Sequence, residues 1–547
     1  MANTPAAEVP VLTIAPSHID ESNLDVADFN ERVIGAYNDG TAEIGLAADN
    51  DLARSLIPAG TAALRDFSYI APEIPQFIPE NCVACMECVV ECPDTAILGK
   101  VAVKKDLDAE LGRQDDAGYK AHLEKHFAKT QKFHTTYEKQ KKEPGFFGIF
   151  IDPTKCKGCA ECVEVCGSHN ALKMVKKTDK NLEEYKKEFQ SFRRMPDTPP
   201  QFINERLVSD IMLAEKSLIY TGGAGSCAGC GEGTALRMMT AATAFQVGKD
   251  NLGLVASTGC NTVYTSTYPY NPYLVPWSNS LFENGPTYAM GIRARWDQMG
   301  WADKKLWLIG GDGAMNDIGF QALSRMLASG SDIKVLVLDT QVYSNTGGQA
   351  STATFTGQET KMSVHGKAQG GKQERRKELA TICMMHPEVF VAQTTCAHIN
   401  HFYKAIMAAN EFKGPAVVNV YTTCQPEHGV ADNMAGAQAR LAVDTRAFPL
   451  LVHDPRKGES YKQRLSLAGN PALKDDWYVN PKTGEPQDFV YFARTEGRFA
   501  KHFDKDGRAS ETLLRSQEDR LRNWRRLQDL AGVRDLAAPA PAAAAKA

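Results

Sequence analysis

Short apolar runs alternate with helix-length segments from about residue 226 to residue 450. Leu306–Ile309 and Ile333–Leu338 are two such runs, and the segments VFVAQTT and PAVVNVYTTC are others. Apolar runs of this length bounded by turn residues are typical of buried strands. The segment between the first two carries apolar residues at helical spacing on one face: Ile318, Ala322, Leu323, Met326 and Leu327. The alternation predicts an α/β domain with a mostly parallel sheet.

A glycine turn follows the first of these strands, where Gly311 and Gly313 flank Asp312. Thr340 follows the second strand, and 26 residues separate it from Gly313. The carboxyl ends of parallel strands meet at one edge of a sheet, where ligands bind. Glycine lets backbone amides approach phosphate oxygens, and a carboxylate is a hard ligand for Mg²⁺. The pattern predicts a diphosphate–Mg²⁺ site, although a GGDG turn alone is also compatible with a purely structural role.

The other regions differ in pattern and composition. Residues 1–70 are mixed and predict an N-terminal packing segment, and residues 186–225 contain the Pro-rich connector FRRMPDTPPQF. Residues 451–547 form a polar C-terminal extension, whose final LAAPAPAAAAKA we expect to be disordered. The run KQERRK at 372–377 predicts a solvated loop, with docking of a ligand diphosphate or of an acidic partner protein as the alternative.

Composition narrows the class of protein. A chain of 547 residues predicts several domains. The formal net charge of −4, without a basic face interleaved with aromatic residues, argues against nucleic-acid binding. No apolar run approaches the roughly 20 residues of a membrane span, and the first residues lack a targeting pattern. We therefore expect a cytoplasmic protein without a membrane partner.

Two cysteine runs predict iron–sulfur clusters between residues 71 and 185. Each has the C-x₂-C-x₂-C-x₃-C spacing of bacterial ferredoxins, in which the fourth cysteine ligates the other cluster. Structural zinc is the alternative, but it prefers ligands in two pairs. The predicted ligand sets are Cys82, Cys85, Cys88 and Cys166 for the first cluster and Cys156, Cys159, Cys162 and Cys92 for the second. An α+β two-cluster ferredoxin-type domain is expected, with a charged insertion at about 100–143 whose His122, His126 and His134 are expected at the surface.

Four further cysteines fall in turns or after predicted strands: Cys227, Cys230, Cys260 and Cys424. If the sheet is parallel, they gather near the glycine turn, and a third cluster or buried structural thiols would both fit. Cys383 and Cys396 lie in apolar segments and are expected to be core residues.

Several motifs in one order carry a family resemblance: FIPENCVACMECVVECPDTAI, GSCAGCGE, STGC, PWSNSLFEN, GGDGAMNDIG, DTQVYSNTGGQ and YTTC. Together they resemble the ferredoxin-type and thiamine diphosphate-binding portion of the pyruvate:ferredoxin (flavodoxin) oxidoreductase family, over roughly residues 60–450. The sequence departs from the family at Gly167, at Gly233-Thr234-Ala235 and at Thr340-Gln341, where paired asparagines are usual in thiamine diphosphate enzymes.

The resemblance implies a role for each candidate residue. Cys227, Cys230, Cys260 and Cys424 would bind a third [4Fe–4S] cluster in a domain spanning 226–450. Asp312, Thr340 and the carbonyl of Val342 would hold Mg²⁺, and Gly311, Gly313 and Ala314 would hold the diphosphate. Asn345 would act in catalysis beside the thiazolium ring. Glu232 would lie near the cofactor, with a role at a helix N-terminus as the alternative.

The resemblance also implies a reaction and partners. The expected reaction is coenzyme A-dependent oxidative decarboxylation of pyruvate, with electrons passing through three clusters to ferredoxin or flavodoxin, or the reverse synthesis. Another 2-oxoacid such as 2-oxoglutarate, or a non-catalytic electron-transfer subunit, is the alternative. One glycine turn of this kind supplies half of a thiamine site. We therefore expect a second subunit to supply the pyrimidine-binding half, in a dimer of heterodimers.

Overall fold

The computed structural model describes residues 25–47, 57–222, 225–265, 267–361 and 370–536. The Ala/Pro tail predicted to be disordered lies outside these residues, apart from Leu536. Within them, no helix is both long and apolar enough to cross a bilayer.

Residues 73–176 contain two interlocked halves. Each half is a strand, a cysteine loop with a short helix, and a second strand, and the short helices Glu87–Val90 and Glu161–Cys166 contact each other. The strands are β1 Glu73–Phe77, β2 Ile97–Val103, β3 Gly145–Ile151 and β4 Leu172–Lys176. β1 pairs with β4 and β2 with β3, both antiparallel. Each half is therefore completed by strands of the other.

The insertion between the halves packs as a helical layer. Its helices are Lys104–Gly112, Ala117–His126 and Thr136–Lys139, with a π-helical turn at Gln131–Thr135. Leu107, Leu123 and Phe127 belong to one core cluster with Phe150 of β3 and Phe192. His126 and His134 are buried, so the surface prediction was wrong for both. Apolar residues at helical spacing lie on the inner face of the inserted helices. Polar residues on that same face are therefore buried with them.

The segment after β4 is more ordered than a linker. Helix Asp179–Arg194 begins with a capping box between Thr178 and Asn181. Short helical turns follow at Pro200–Phe202, Val208–Ile211 and Glu215–Ser217.

Eight strands form the main sheet within the described residues, in the order β12-β11-β9-β10-β8-β7-β5-β6. Strands β5 to β10 are parallel, and β11 and β12 are antiparallel additions at one edge. Their bounds are β5 Leu252–Ser257, β6 Trp277–Ser280, β7 Lys305–Gly311, β8 Lys334–Asp339, β9 Phe390–Thr395, β10 Ala416–Tyr421, β11 Leu451–His453 and β12 Leu465–Ser466. This is the predicted α/β architecture.

Helices cover both faces of the sheet, because successive strand residues point in opposite directions. Trp307 and Ile309 of β7 share a core cluster with residues of Gly231–Val247 and Ile399–Glu411. Leu308 belongs to the opposite cluster. The helices contributing to that second cluster are Gly285–Gln298, Phe320–Ala328, Leu379–Met384 and Glu511–Leu530.

The helix after the glycine turn starts irregularly, with a π-helical segment at Ala314–Ile318. The extra residue rotates Ile318 outward, where it is 58% exposed, so its predicted place on the buried face was wrong. Leu323, Met326 and Leu327 are buried as predicted, and so are Cys383 and Cys396.

Segments near both ends of the described residues pack against other parts of the protein. Phe29, Val33 and Ala62 pack with Tyr270 in a small separate cluster. The sheet continues past residue 450 through β11 and β12, and Trp524 of the last helix is buried in the main core. Shorter elements complete the C-terminal region: Gln425–His428, Ala435–Asp444, Tyr461–Arg464, Phe489–Arg494, Gly497–His502, β13 Tyr478–Val479 and β14 Pro486–Gln487.

Candidate thiamine site and cysteine clusters

Four neighbouring strands end at one edge of the sheet. Their order is β10, β8, β7 and β5, and each is followed by a loop with candidate chemistry. The glycine turn ends β7, Thr340 follows β8, Cys260 follows β5 and Cys424 follows β10. The parallel sheet therefore brings together residues that are far apart in the sequence.

A pocket at this edge is lined by all the predicted cofactor residues except Asp312, which is fully buried and contacts the wall residue Thr340. We call this space the Asp312 pocket. Tyr343, Ser344, Thr258, Asn261 and Glu283 contribute to its wall. The predicted residues that line it are Glu232, Cys260, Gly311, Gly313, Ala314, Thr340, Val342 and Asn345.

Oxygen atoms converge around Asp312, which is fully buried. The Thr340 hydroxyl oxygen lies 3.2 Å from Asp312 Oδ1 and 3.1 Å from the carbonyl oxygen of Val342. The Thr340 N–H donates to the same carboxylate oxygen at 3.1 Å, and the Ser351 hydroxyl donates to Oδ2. Carboxylate, hydroxyl and carbonyl oxygens form a donor set that suits a hard divalent cation.

The electrostatics around Asp312 also favour a cation. Burial, and then the nearby Asp339 carboxylate, raise the pKa of Asp312 to about 7. Arg376 works in the opposite direction and forms an ion pair with Asp339 at 2.5 Å, with both side chains buried. The carboxylates of Asp312 and Asp339 therefore carry more negative charge than Arg376 neutralises in this buried site.

The basic run at 372–377 is only partly the solvated loop that was predicted: residues 373–375 are exposed, whereas Lys372 and Arg376 are buried, so the prediction was wrong for those two. Lys372 is 1% exposed and donates to the carbonyls of Ser351 and Thr354 at 3.1 and 3.0 Å. Lys377 donates to the carbonyl of Asn316. Carbonyl acceptors satisfy these buried donors, and the run braces the loop that follows Thr340.

Residues of the C-terminal region support the same loop from the other side. Nε2 of the buried His428 lies 2.9 Å from the main-chain oxygen of Thr340, and Nδ1 lies 3.7 Å from Glu496. Burial, and then the Arg498 guanidinium, hold the pKa of His428 well below its ordinary value. A neutral His428 donates through Nε2 and fixes the Thr340 carbonyl.

Glu232 occupies the first turn of helix Gly231–Val247 and also lines the pocket. Burial, and then the charge of Asp312, raise its pKa to about 8, and Tyr264 lies within hydrogen-bond distance at 3.3 Å. This position is compatible with both predictions for Glu232, namely a role at a helix N-terminus and a place beside the cofactor pocket.

A second cavity, of about 170 Å³, adjoins the first. It contains the third set of cysteines, Cys227, Cys230, Cys260 and Cys424. The two cavities share wall residues, namely Glu232, Cys260, Thr340, Ser344 and Asn345. A group held by these thiols would therefore lie directly beside a ligand of the Asp312 pocket.

The crossed pairing of cysteines is visible in the first ferredoxin-type set. Cys82, Cys85, Cys88 and Cys166 line one pocket with Phe77 and Ile149. Ala84 and Met86 adopt φ of 60° and 69°, which bends the loop around the pocket. Backbone N–H groups of Ala84 and Ala171 approach sulfur atoms at 3.4 and 3.3 Å.

The second set has the same local conformation, with φ of 67° at Gly158 and 65° at Ala160. Burial, and then the neighbouring thiolates of Cys159, Cys156 and Cys92, raise the pKa of Cys162. Cys92 therefore sits with the other run, as the ferredoxin spacing predicts. A thiol with a raised pKa stays protonated unless a bound metal group stabilises its thiolate form. These thiols therefore fit a metal site.

The spacing of the sulfur atoms argues against single zinc ions. Tetrahedral zinc with Zn–S bonds of about 2.3 Å would place sulfur atoms roughly 3.8 Å apart. Among the described residues, no three of these thiol sulfurs lie mutually within 4.8 Å. A wider sulfur spacing is what a cluster of several metal atoms would require, and a cluster stays a prediction for these thiols.

Some site residues had no signal in the sequence. Ser351 reaches Asp312 across 39 residues, and Asn261 beside the pocket has a buried amide oxygen without a hydrogen-bond partner among the described residues. Tyr264 contacts Glu232 from the helix after Cys260. Only the fold brings these side chains to the site, although Ser351 follows a conspicuous glycine pair.

Comparisons with known proteins agree with this geometry. Residues 257–420 match the family model "Thiamine pyrophosphate enzyme, C-terminal TPP binding domain", which covers the strands that build the Asp312 pocket. The chain is 29% identical over 477 residues to the probable pyruvate-flavodoxin oxidoreductase of Escherichia coli, covering 74% of this chain and 38% of that protein.

Two further relatives align over more of the chain. The pyruvate-flavodoxin oxidoreductase of Rhodospirillum rubrum is 26% identical over 85% of this chain and 42% of its own length. The pyruvate:ferredoxin oxidoreductase of Moorella thermoacetica is 27% identical over 87% of this chain and 44% of its own length. The chain is similar in sequence to these oxidoreductases. It spans about two fifths of the length of the curated relatives it matches.

Among solved structures, the 2-oxoglutarate:ferredoxin oxidoreductase of Magnetococcus marinus matches 39% of this chain and 68% of its own chain, with 19% identity and a TM-score of 0.34. A likeness this slight does not bear on the fold or on the substrate. The fold assignment rests on the eight-stranded sheet and the matched thiamine-binding domain.

Proposed function

We propose that this chain is the cluster-bearing, diphosphate-binding part of a thiamine diphosphate-dependent 2-oxoacid:ferredoxin or flavodoxin oxidoreductase, with pyruvate and coenzyme A as substrates. The observation that carries the proposal is the shared wall between the Asp312 pocket and the pocket of Cys227, Cys230, Cys260 and Cys424. A decarboxylase or synthase without redox chemistry would have no use for thiols at that place. The names of the relatives support pyruvate.

The residues of the first pocket fit the thiamine cofactor and Mg²⁺. Asp312, Thr340 and the carbonyl of Val342 would hold the cation, and the backbone of Gly311, Gly313 and Ala314 would hold the diphosphate. Asn345 would orient the substrate. When bound, thiamine diphosphate stabilises the negative charge left as CO₂ departs, and iron–sulfur clusters accept electrons singly.

Glu232 would keep a proton inside this site. Its pKa of about 8 leaves it mostly protonated at neutral pH, so it would add no further negative charge beside Asp312. Its side chain is buried and lies within hydrogen-bond distance of Tyr264.

The side chains at the mouth of the Asp312 pocket favour the presence of another protein domain that covers it. Leu281 and Phe282 are 65% and 81% exposed, next to Glu283 of the pocket wall, and Ile318 is exposed nearby. Large apolar side chains grouped at a pocket mouth are typical of surfaces that another protein covers. We propose that they meet the pyrimidine-binding half of the site.

Whether that half belongs to another subunit stays a prediction. The relatives carry their additional length in the same chain, and they do not support a separate subunit. If a second subunit supplies it, the purified chain alone will not decarboxylate pyruvate, and turnover will require addition of that subunit. Robust turnover by the isolated chain would contradict this part of the proposal.

Iron and thiamine content of the anaerobically purified protein test the main proposal. We expect about twelve iron atoms per chain and Mg²⁺-dependent thiamine diphosphate binding. A pure electron-transfer module would contain about eight iron atoms and would bind no thiamine. Initial rates of the complete enzyme on a panel of 2-oxoacids then separate pyruvate from 2-oxoglutarate.

The crossed ligation has its own test. Cys166→Ser removes a predicted ligand of the cluster otherwise held by Cys82, Cys85 and Cys88, so iron content should fall by about four atoms per chain. Cys383→Ser changes a buried thiol outside the three sets and should leave the iron content unchanged. Equal iron in both variants would contradict the assignment of Cys166.

A further inference from the structure

Two histidines and a glutamate converge outside the site described above. His122 and His126 lie one turn apart on helix Ala117–His126 and therefore share a face. Glu188 faces them from helix Asp179–Arg194. One ligand atom from each of the three residues lies within 4.8 Å of the others, and in the described part of the chain this is the one such group of histidine, cysteine and acidic side chains.

The hydrogen bond of His126 fixes which ring nitrogen faces the glutamate. Nε2 lies 2.7 Å from the main-chain oxygen of Ile149, and a carbonyl oxygen only accepts. Nε2 therefore carries the hydrogen, and Nδ1 presents a lone pair. That nitrogen lies 3.8 Å from Glu188 Oε1, beyond hydrogen-bond distance, so two electron-pair donors face each other in a buried place.

Glu188 has few other partners for its charge. It is 6% exposed, and among the described residues its ion pairs are with the two histidines. His122 Nε2 lies 2.5 Å from the same Oε1 atom. The His122 side chain is 47% exposed, which leaves a path from solvent to the group.

We propose that His122 Nε2, His126 Nδ1 and Glu188 Oε1 bind one divalent first-row transition ion of zinc-like chemistry, with water in the fourth position. Two imidazoles and a carboxylate are a common zinc ligand set. Bonds of about 2.0–2.1 Å in a tetrahedron place ligand atoms roughly 3.3 Å apart. The two measured separations from Oε1, 2.5 and 3.8 Å, bracket that value, so small side-chain rotations suffice.

The supporting contacts resemble those of built metal sites. A metal-bound imidazole usually donates its other N–H to a carbonyl or carboxylate, as His126 does to Ile149. The His126 ring also packs edge-on against Phe77, with ring centroids 5.2 Å apart. Phe77 and Ile149 line the pocket of Cys82 and its partners, so the ion would fasten the inserted helices to the wall of that pocket.

Zinc binding by the protein with its clusters already loaded tests this proposal. Zn²⁺ alone is titrated anaerobically against a competing chelator, and zinc-edge X-ray absorption reports the ligand atoms. We expect one tightly bound zinc per chain with nitrogen and oxygen neighbours at about 2.0–2.1 Å. His122→Gln and Glu188→Gln should each weaken binding at least tenfold.

His134→Gln is the matched control, because His134 belongs to the same insertion and pairs with Glu138 at 3.2 Å without a second histidine. It should leave zinc affinity unchanged. Thermal unfolding without zinc checks the fold of each variant, and His122 is the primary target because it is half exposed. Zinc bound only to sulfur, or equal affinity in the His122 and His134 variants, would show a histidine–glutamate ion pair only and overturn the proposal.

Discussion

The substitution Asp312→Asn tests two effects of this carboxylate separately: its effect on the stability of the metal-free protein and its effect on the binding of Mg²⁺ and thiamine diphosphate. The pKa of Asp312 is about 7 in the folded protein, compared with an ordinary 3.8. Because the folded pKa is raised, the unfolded chain loses this proton first, and the stability of the metal-free protein falls as pH rises from about 4 to about 7. A difference of about three pKa units lowers the free energy of unfolding above pH 7 by an amount on the order of 4 kcal/mol.

Asparagine keeps the shape and most of the hydrogen bonds at this position. Its oxygen can accept from the Thr340 N–H, and its amide can donate to the Ser351 hydroxyl oxygen. Without Mg²⁺, Asp312→Asn should therefore be more stable than the parent protein at pH 8 and close to it at pH 4. With Mg²⁺ and thiamine diphosphate the order should reverse, because only the carboxylate gains from the cation.

Scanning calorimetry of the cluster-loaded protein, at both pH values and with and without Mg²⁺ and thiamine diphosphate, measures these differences. Asp317→Asn is a control at a neighbouring carboxylate, which accepts from the Thr352 N–H at 3.0 Å and the Tyr343 hydroxyl at 3.2 Å. It should lower the melting temperature in both conditions. The reasoning fails if Asp312→Asn is less stable than the parent protein at pH 8 without Mg²⁺, or if the cofactors stabilise both equally.

Two further substitutions test the packing around the site. Arg376→Met leaves the buried carboxylate of Asp339 without its partner and should cost about 3–5 kcal/mol in urea unfolding, whereas Arg376→Lys should cost less. Gly231→Ala would place a Cβ 2.6 Å from the backbone nitrogen of Thr423, so it should displace the loop before Cys424 and reduce iron content. Gly291→Ala, where a Cβ meets nothing within 4 Å, should leave iron content unchanged, and iron loss there would refute the packing argument.

Much of the site was predictable because its signals are local or follow from strand order. The ferredoxin spacing placed Cys92 and Cys166 in the opposite sets. The parallel sheet predicted that Thr340 would meet Asp312, since both follow neighbouring strands. The boundaries of β7 and β8 followed from apolar runs bounded by glycine and polar residues.

Other parts depend on contacts that a single sequence does not reveal. The charged composition of the run at 372–377 predicts a solvated loop. The sequence does not show that Lys372 donates to carbonyls of a distant loop. The π-helical segment after the glycine turn shifts the helical phase by one residue and turns Ile318 outward. His126 is buried because apolar neighbours on its helix face β3, although charged residues dominate the composition there.

The crossed strand pairing also has a consequence for biosynthesis. Glu73 of β1 pairs with Lys176 of β4, about a hundred residues later, and each ferredoxin-type cysteine set draws on both halves. Neither set is complete until the second cysteine run, which ends at Cys166, has left the ribosome, so delivery of the proposed clusters would have to follow translation of both runs. The inserted helices lengthen the loop that must close, but closure entropy grows only by about 0.6 kcal/mol per doubling of length. Such an insertion can therefore be acquired at little thermodynamic cost, while it would delay the moment at which the nascent chain can accept the proposed clusters.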